Sequence, residues 1–235
     1  FGARDIAQID ESALRIVPLL AGLVLIAFLP AVQDGLTRIG VLIAALLTAT
    51  SPAMVFYSRY YIQEMLLVAV SFFLVAALWQ AVRTRKIIWM FIAGLSLGFM
   101  HATKETDVLV VFAIIFAAAG TTLWTKLVDG RQILWSQRLQ PKFWTPFALT
   151  TLLVSTALLS NFFTHWRGPL DSLLTYANYF HRAGDSAHTQ PWHYYLSTLI
   201  YFKNAPGPWW SEAIIVILAV AGSIFALRKS CTESK

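Results

Sequence analysis

The sequence predicts an all-α fold, a polytopic bundle of about seven transmembrane helices. Three observations predict it. Residues 16–33, 40–58, 65–82, 87–103, 108–125, 143–164 and 213–227 contain no Lys, Arg, Asp or Glu. Each segment is about as long as a helix that crosses the hydrocarbon core of a bilayer. Threading the chain alternately through a membrane also sorts its charge: eleven basic residues and three acids fall on one side, seven basic residues and nine acids on the other. The basic side reads as cytoplasmic. Finally, 57% of the residues are hydrophobic and 14% aromatic, and the mean hydropathy is +0.63. A soluble domain of this length has no means of hiding seven such runs.

The pI near 9.6 is therefore a topology signal with an attraction to anionic lipid, and implies no nucleic-acid partner. Cys231 is the single cysteine, which excludes a disulfide framework and a thiolate metal cluster. The chain reads as one membrane domain over residues 1–235. Its polar outer lead-in, residues 1–12, begins at Phe1. An outward start of this kind needs an earlier span, so the domain is expected to be truncated at its N-terminus, and more helices are expected to follow its end.

The first helix is expected over about residues 13–29, leaving the membrane at Pro30, with a cytoplasmic turn at Asp34-Gly35. The second, over about 39–57, contains Ser51-Pro52, a break that kinks a helix or ends it early. An outer hairpin of Tyr57-Ser58-Arg59-Tyr60-Tyr61-Ile62-Gln63-Glu64 leads to the third helix, which runs to about Val82 and a basic anchor, Arg83-Thr84-Arg85-Lys86. The fourth carries Gly94-x-x-x-Gly98, a spacing that lets helices approach closely. It ends in His101-Ala102-Thr103-Lys104-Glu105-Thr106-Asp107, and the fifth begins at once. Residues 126–142 mix tryptophan with basic residues, as an interfacial segment does. The sixth helix ends near Phe163. Residues 164–210 then form a long outer loop whose apolar piece, 194–202, is too short to span and reads as a re-entrant or interfacial helix. The seventh, about 211–227, closes the chain.

Ionisable groups are costly at a membrane boundary, so three outer clusters are candidates for chemistry. In the first, Tyr57, Arg59 and Glu64, the guanidinium fork suits phosphate or carboxylate; an Arg59–Glu64 clamp across the hairpin is the structural alternative. In the second, His101, Lys104, Glu105 and Asp107 crowd one turn, where Lys104 suits a lipid phosphate or simply snorkels. The third is the long loop, with His165-Trp166-Arg167, Arg182 and His188-Thr189-Gln190-Pro191-Trp192-His193-Tyr194-Tyr195. Rings there stack on sugar faces and imidazoles bond hydroxyls, or else the aromatics form an interfacial belt, as Trp209-Trp210 is expected to do. The histidines leave a divalent ion open as a ligand, although no H-E-x-x-H spacing occurs. No motif demands a cofactor, and no serine nucleophile elbow, Walker loop or dinucleotide fingerprint is read.

Four stretches carry a resemblance: residues 12–22, Thr50-Ser51-Pro52 with Tyr57-Ser58-Arg59 and Glu64, Gly98 through Thr103-Lys104-Glu105, and His188-x-x-Pro191-Trp192-x-Tyr194-Tyr195-Leu196. Their order and spacing resemble the GT-C integral membrane glycosyltransferases, the group that includes protein O-mannosyltransferases and aminoarabinose transferases of lipid A. The Ala-Thr-Lys-Glu-Thr and His-x-x-Pro-Trp-x-Tyr-Tyr runs look most like a prokaryotic branch of flippase-activity-associated proteins, similar to the family 39 mannosyltransferases. The resemblance implies a multi-pass plasma-membrane enzyme with an extracytoplasmic active face. It would move a sugar, with inversion, from a polyprenyl or dolichyl phosphate to a lipid, glycan or protein acceptor. Such enzymes are thought to take their general base from an acidic first outer loop, expected here upstream of Phe1; Asp5, Asp10 and Glu11 do not match it.

On this reading Arg59, Lys104 and Arg182 hold the donor phosphate. Tyr57, Glu64, His101, Glu105, His188, Trp192, Tyr194 and Tyr195 meet the sugar or acceptor. The competing reading is a non-catalytic membrane protein associated with flipping or transport of lipid-linked sugars, against which the uncharged helix centres argue.

Overall fold

The computed structural model describes residues 10–128, 141–182, 190, 191, 193–203, 206, 207 and 209–233, without the side chains of 178–182 and 227–233. Helix α1 (Glu11–Phe28) tolerates a buried Pro18. It runs into a single 3-10 turn at Leu29–Val32. Helix α2 (Gln33–Thr50) is broken at Thr37, where φ is 66° and ψ 165°. These two irregularities fold α2 back on α1: Thr48 and Ala49 line the same cleft as Leu19, Leu23 and Ile26. The chain thus reverses on either side of Asp34-Gly35, and those two residues are themselves helical.

Ser51-Pro52 ends the second predicted helix instead of bending it through to Tyr57. A residue before proline is pushed out of the helical region, and Ser51 sits at ψ 122°. Its hydroxyl then accepts from the Met54 amide at 3.2 Å, capping α3 (Pro52–Arg59) with proline in its first turn. Helix α4 (Glu64–Thr84) follows, closed by Arg85 in the left-handed region. Next come α5 (Ile88–Thr103), α6 (Asp107–Leu127) and α7 (Pro141–Leu159).

Helices α4, α5 and α7 make the tightest part of the bundle. Small residues bring them together: Ala77 and Ala81 of α4 and Ala93 of α5 are almost fully buried, and Met90 and Met100 fill the remaining space, while Ala69 and Met65 on another side of α4 pack against Ala21 and Leu25 of α1. The Gly94-x-x-x-Gly98 spacing faces α7. A side chain at Gly94 would meet the Phe147 carbonyl, and one at Gly98 would lie 2.8 Å from Val154 Cβ. Thr151 of α7 donates its hydroxyl to the Gly94 carbonyl at 3.2 Å.

Four stretches are long and apolar enough to cross a membrane: 11–50, which holds both α1 and α2, 64–84, 107–127 and 141–159. Helix α5 and residues 213–226 are shorter apolar helices. Because α1 and α2 run back on one another, the first two uncharged segments lie on separate helices, and the second, residues 40–58, is divided between α2 and α3. At the end predicted to be cytoplasmic, Arg83 pairs with Asp34 and Gln80 donates to the Ala31 carbonyl at 2.5 Å.

The sixth predicted helix stops at Leu159, short of Phe163, because Asn161, Phe162 and Phe163 all have positive φ. Backbone bonds from Phe162 to Ala157 and from His165 to Ser160 satisfy carbonyls that the helix end leaves open. The outer loop beyond is more helical than expected. Residues 168–182, expected as part of the loop, form α8 (Gly168–Arg182), with Gly168-Pro169 at its start because proline suits a first turn. Helix α9 (Tyr194–Ile200) realises the expected short helix. Strands β1 (Phe202–Lys203) and β2 (Trp209–Trp210) pair antiparallel, Phe202 opposite Trp210. The expected tryptophan belt is therefore one side of a small hairpin, with Trp210 packed on Phe202 and Trp209 exposed. Helix α10 (Ala213–Glu233) ends the chain.

Candidate functional site

At the opposite end from Asp34 and Arg83, two of the three outer clusters converge. Glu64 opens α4 and Lys104 caps α5, and the ammonium lies 2.5 Å from Glu64 Oε1. The expected Arg59–Glu64 clamp is thus replaced by a pair between two helices. Tyr60 ends α3 and the chain becomes helical again only at Glu64, so the two residues share no helix face. The second carboxylate oxygen, Oε2, is buried and has no hydrogen-bond partner among the described residues. An ammonium has three donors, one of which goes to Glu64.

The other half of the site joins α5, α6 and α8. Asp107, the first residue of α6, is 5% exposed and accepts from the Tyr176 hydroxyl at 2.7 Å. That bond uses the only hydroxyl hydrogen, so the phenol oxygen accepts from His101 Nδ1, 3.0 Å away. The two rings stack, centroids 5.9 Å apart. Fixing the hydrogen on Nδ1 leaves Nε2 towards Ser172, whose hydroxyl oxygen is 3.4 Å away while its own hydrogen goes to the Pro169 carbonyl. Burial, then the hydrogen bond to Asp107, then the charges of Asp107 and Glu105 push the Tyr176 phenol well above its ordinary value.

These groups border a cleft of about 120 Å³ lined by His101, Lys104, Glu105, Ser172, Thr175 and Tyr176. It combines hydroxyls, an imidazole and an ammonium, the donor and acceptor set that suits a sugar or a phosphate. Beside α3 lies a second cleft of about 210 Å³, apolar and framed by α1, α2, α3 and α4.

Not every predicted residue joins the polar cleft. Tyr57 and Arg59 are exposed on α3, and Tyr194 and Tyr195 pack edge to face on α9, also exposed. Arg182 closes α8, but its side chain lies outside the described residues, as do His188 and Trp192. Among the described residues no three His, Cys, Asp or Glu side chains gather as a metal site. Gly94-Leu95-Ser96-Leu97-Gly98 has the letters of a nucleophile elbow, yet it lies inside α5, where buried Ser96 donates to the Ile92 carbonyl at 2.8 Å. It supplies no nucleophile.

Sequence reasoning missed Ser172 and Tyr176 as site residues. Their four-residue spacing on an amphipathic helix was the available signal, hidden by the Gly168-Pro169 break. It also passed over Glu212, buried beside α3.

With this geometry in view, the chain was compared with known proteins. The family model described as dolichyl-phosphate-mannose-protein mannosyltransferase matches residues 3–137. The chain belongs to that family. No curated protein and no solved structure matches it. Membership in the mannosyltransferase family makes this a multi-pass membrane glycosyltransferase that draws on a lipid-linked sugar donor, which agrees with the resemblance at the level of the superfamily. The matched stretch contains Arg59, Glu64, His101, Lys104, Glu105 and Asp107; Ser172 and Tyr176 lie beyond it.

Proposed function

We propose that this protein transfers a sugar from a polyprenyl or dolichyl phosphate to a lipid, glycan or protein acceptor at the extracytoplasmic face of the plasma membrane. In this reading it stands with the flippase-activity-associated branch of the GT-C enzymes. The observation that carries the proposal is the polar cleft at the end of the bundle opposite the basic anchors, where Lys104 stands beside His101 and Tyr176. In the reaction, an acceptor hydroxyl oxygen attacks the anomeric carbon. The bond from that carbon to the phosphate oxygen breaks, and its electron pair stays on the phosphate. The acceptor proton passes to a carboxylate of the outer loop that the family resemblance implies upstream of Phe1. Lys104, with Arg59 and Arg182, neutralises the departing phosphate. His101, Glu105, Tyr57, Tyr194 and Tyr195, with His188 and Trp192, contact sugar or acceptor, and Glu64 orients Lys104. The donor's apolar tail runs along the cleft beside α3, whose lining is mainly apolar, with Leu19, Leu23, Ile26, Val55, Met54 and Met65.

The test is donor binding by the full-length protein in membranes. Lys104→Gln and Arg59→Gln should each weaken affinity for a polyprenyl-phosphate sugar by roughly 1.5–3 kcal/mol, the range for a hydrogen bond to a charged group. A lipid of equal length without the phosphate should be indifferent to both changes. Unaltered phosphate-lipid affinity in both variants would refute the assignment.

A further inference from the structure

Glu212 is buried, 6% exposed, and belongs to none of the groups described above. It lies immediately before α10 in sequence, yet its Oε1 accepts from the Ser51 hydroxyl at 2.7 Å and from the Ala53 amide at 2.9 Å. Those donors stand at the N-terminus of α3, where amides lack partners within the helix and the backbone dipole favours an anion. The Ser51 oxygen in turn accepts from Met54. One carboxylate oxygen and one hydroxyl thus complete the start of the helix between them.

The same residue is tied backwards as well. The Glu212 amide donates to the Leu199 carbonyl at 2.8 Å, and Ser211 donates its hydroxyl to the Ile200 carbonyl at 2.5 Å. The last turn of α9, the strand hairpin and the start of α10 are therefore fastened as a unit onto α3. Helix α3 carries Tyr57 and Arg59, and α9 carries Tyr194 and Tyr195. None of these four is held by burial in a core.

The geometry points to Glu212 as a positioning residue: it latches the α9 segment to α3 and so fixes the spacing between the guanidinium of Arg59 and the tyrosines of α9. The latch works by geometry of acceptance. An amide oxygen can accept the same two hydrogens, so glutamine can replace glutamate, whereas alanine leaves the Ser51 hydroxyl and the Ala53 amide unpaired in a buried place.

Limited trypsin cleavage after Lys203, an exposed residue of β1, reads the latch in the full-length protein without any substrate. Glu212→Ala should speed that cleavage about tenfold or more, as expected when a segment loses two buried hydrogen bonds, and Glu212→Gln should stay near the wild-type rate. A second readout rests on the proposed transfer reaction: Glu212→Ala should raise KM for the lipid-phosphate sugar severalfold, with a smaller change in kcat, and Glu212→Gln should restore it. Wild-type cleavage in Glu212→Ala would overturn the latch. Faster cleavage with unchanged kinetics would overturn the positioning role and leave a structural strut. Should Glu212→Ala fail to fold, Ser51→Ala, which keeps the Ala53 bond, should show an intermediate rise, and a wild-type rate there would be equally fatal. Absence of any sugar transfer by the wild-type protein would refute the proposed function, while the cleavage rates would still decide the latch.

Discussion

Tyr176 is the residue on which the polar site turns, because its hydroxyl makes one bond in each direction. It donates to a buried carboxylate, Asp107, and accepts from His101. Tyr176→Phe would keep the ring stacked and remove both bonds, leaving Asp107 short of a donor. The expected loss is about 1–3 kcal/mol of stability, read as a lower Tm of the purified protein. The pH dependence has a definite sign. Folding raises the phenol above its ordinary value of 10.0, so the protonated form is favoured in the native state. The stabilisation is complete below pH 10 and disappears as the pH climbs from there through the higher native value. The Tm difference between wild type and Tyr176→Phe should therefore be constant from neutral pH to about 10 and shrink above it. A difference that instead fell between pH 5 and 8 would assign the effect to another group.

At the scale of elements, the glycines separate packing from backbone flexibility. Gly94 and Gly98 lie where α5 meets α7 with no room for a Cβ, while Gly120 in α6 and Gly222 in α10 have nothing within 4 Å of one. Gly94→Ala should cost about 1–3 kcal/mol by overpacking against backbone that has nowhere to move. Gly120→Ala should be within about 0.5 kcal/mol of neutral or stabilising, since alanine is the better helix former. Denaturation of the two variants in the same detergent compares them directly, and equal effects would mean that α5 and α7 are not in contact. The same contrast explains what was legible in the sequence. The spacing of Gly94 and Gly98 marked a close contact because small residues are how membrane helices approach, but their partner could come from any other helix. Likewise Ser51-Pro52 marked a break, yet its consequence depended on Glu212, 161 positions away, which completes the new helix start. His101, Lys104 and Asp107 stood out as a crowded turn. Glu64 stood out too, but as a neighbour of Arg59 and not as the partner of Lys104, and Tyr176 did not, because it sat on a helix hidden behind a proline.

Across the whole molecule the charge pattern and the contacts describe one polarity. Asp34, Gln80 and Arg83 gather at one end, and Glu64, His101, Lys104, Asp107 and Tyr176 at the other. Between them, large apolar side chains of α6 such as Phe112, Ile115 and Phe116 point outwards, more than half exposed, and none of the apolar stretch of α6 is buried within the protein. Such a surface is stable only where hydrocarbon replaces water. The two polar ends therefore suit opposite faces of a bilayer, and the excess of Lys and Arg at the end with Arg83, Arg85 and Lys86 is what supports the proposed cytoplasmic placement of that end. A cysteine placed at Thr84, in a protein whose Cys231 has been replaced by serine, should be shielded from an impermeant thiol reagent in intact cells and react only after the membrane is opened. One placed at Thr106, in the turn between Lys104 and Asp107, should react at once. The opposite pattern would turn the polar cleft to the cytoplasm and remove the extracytoplasmic transfer reaction with it, while labelling at both positions in sealed cells would deny that α5, the helix between them, crosses the membrane.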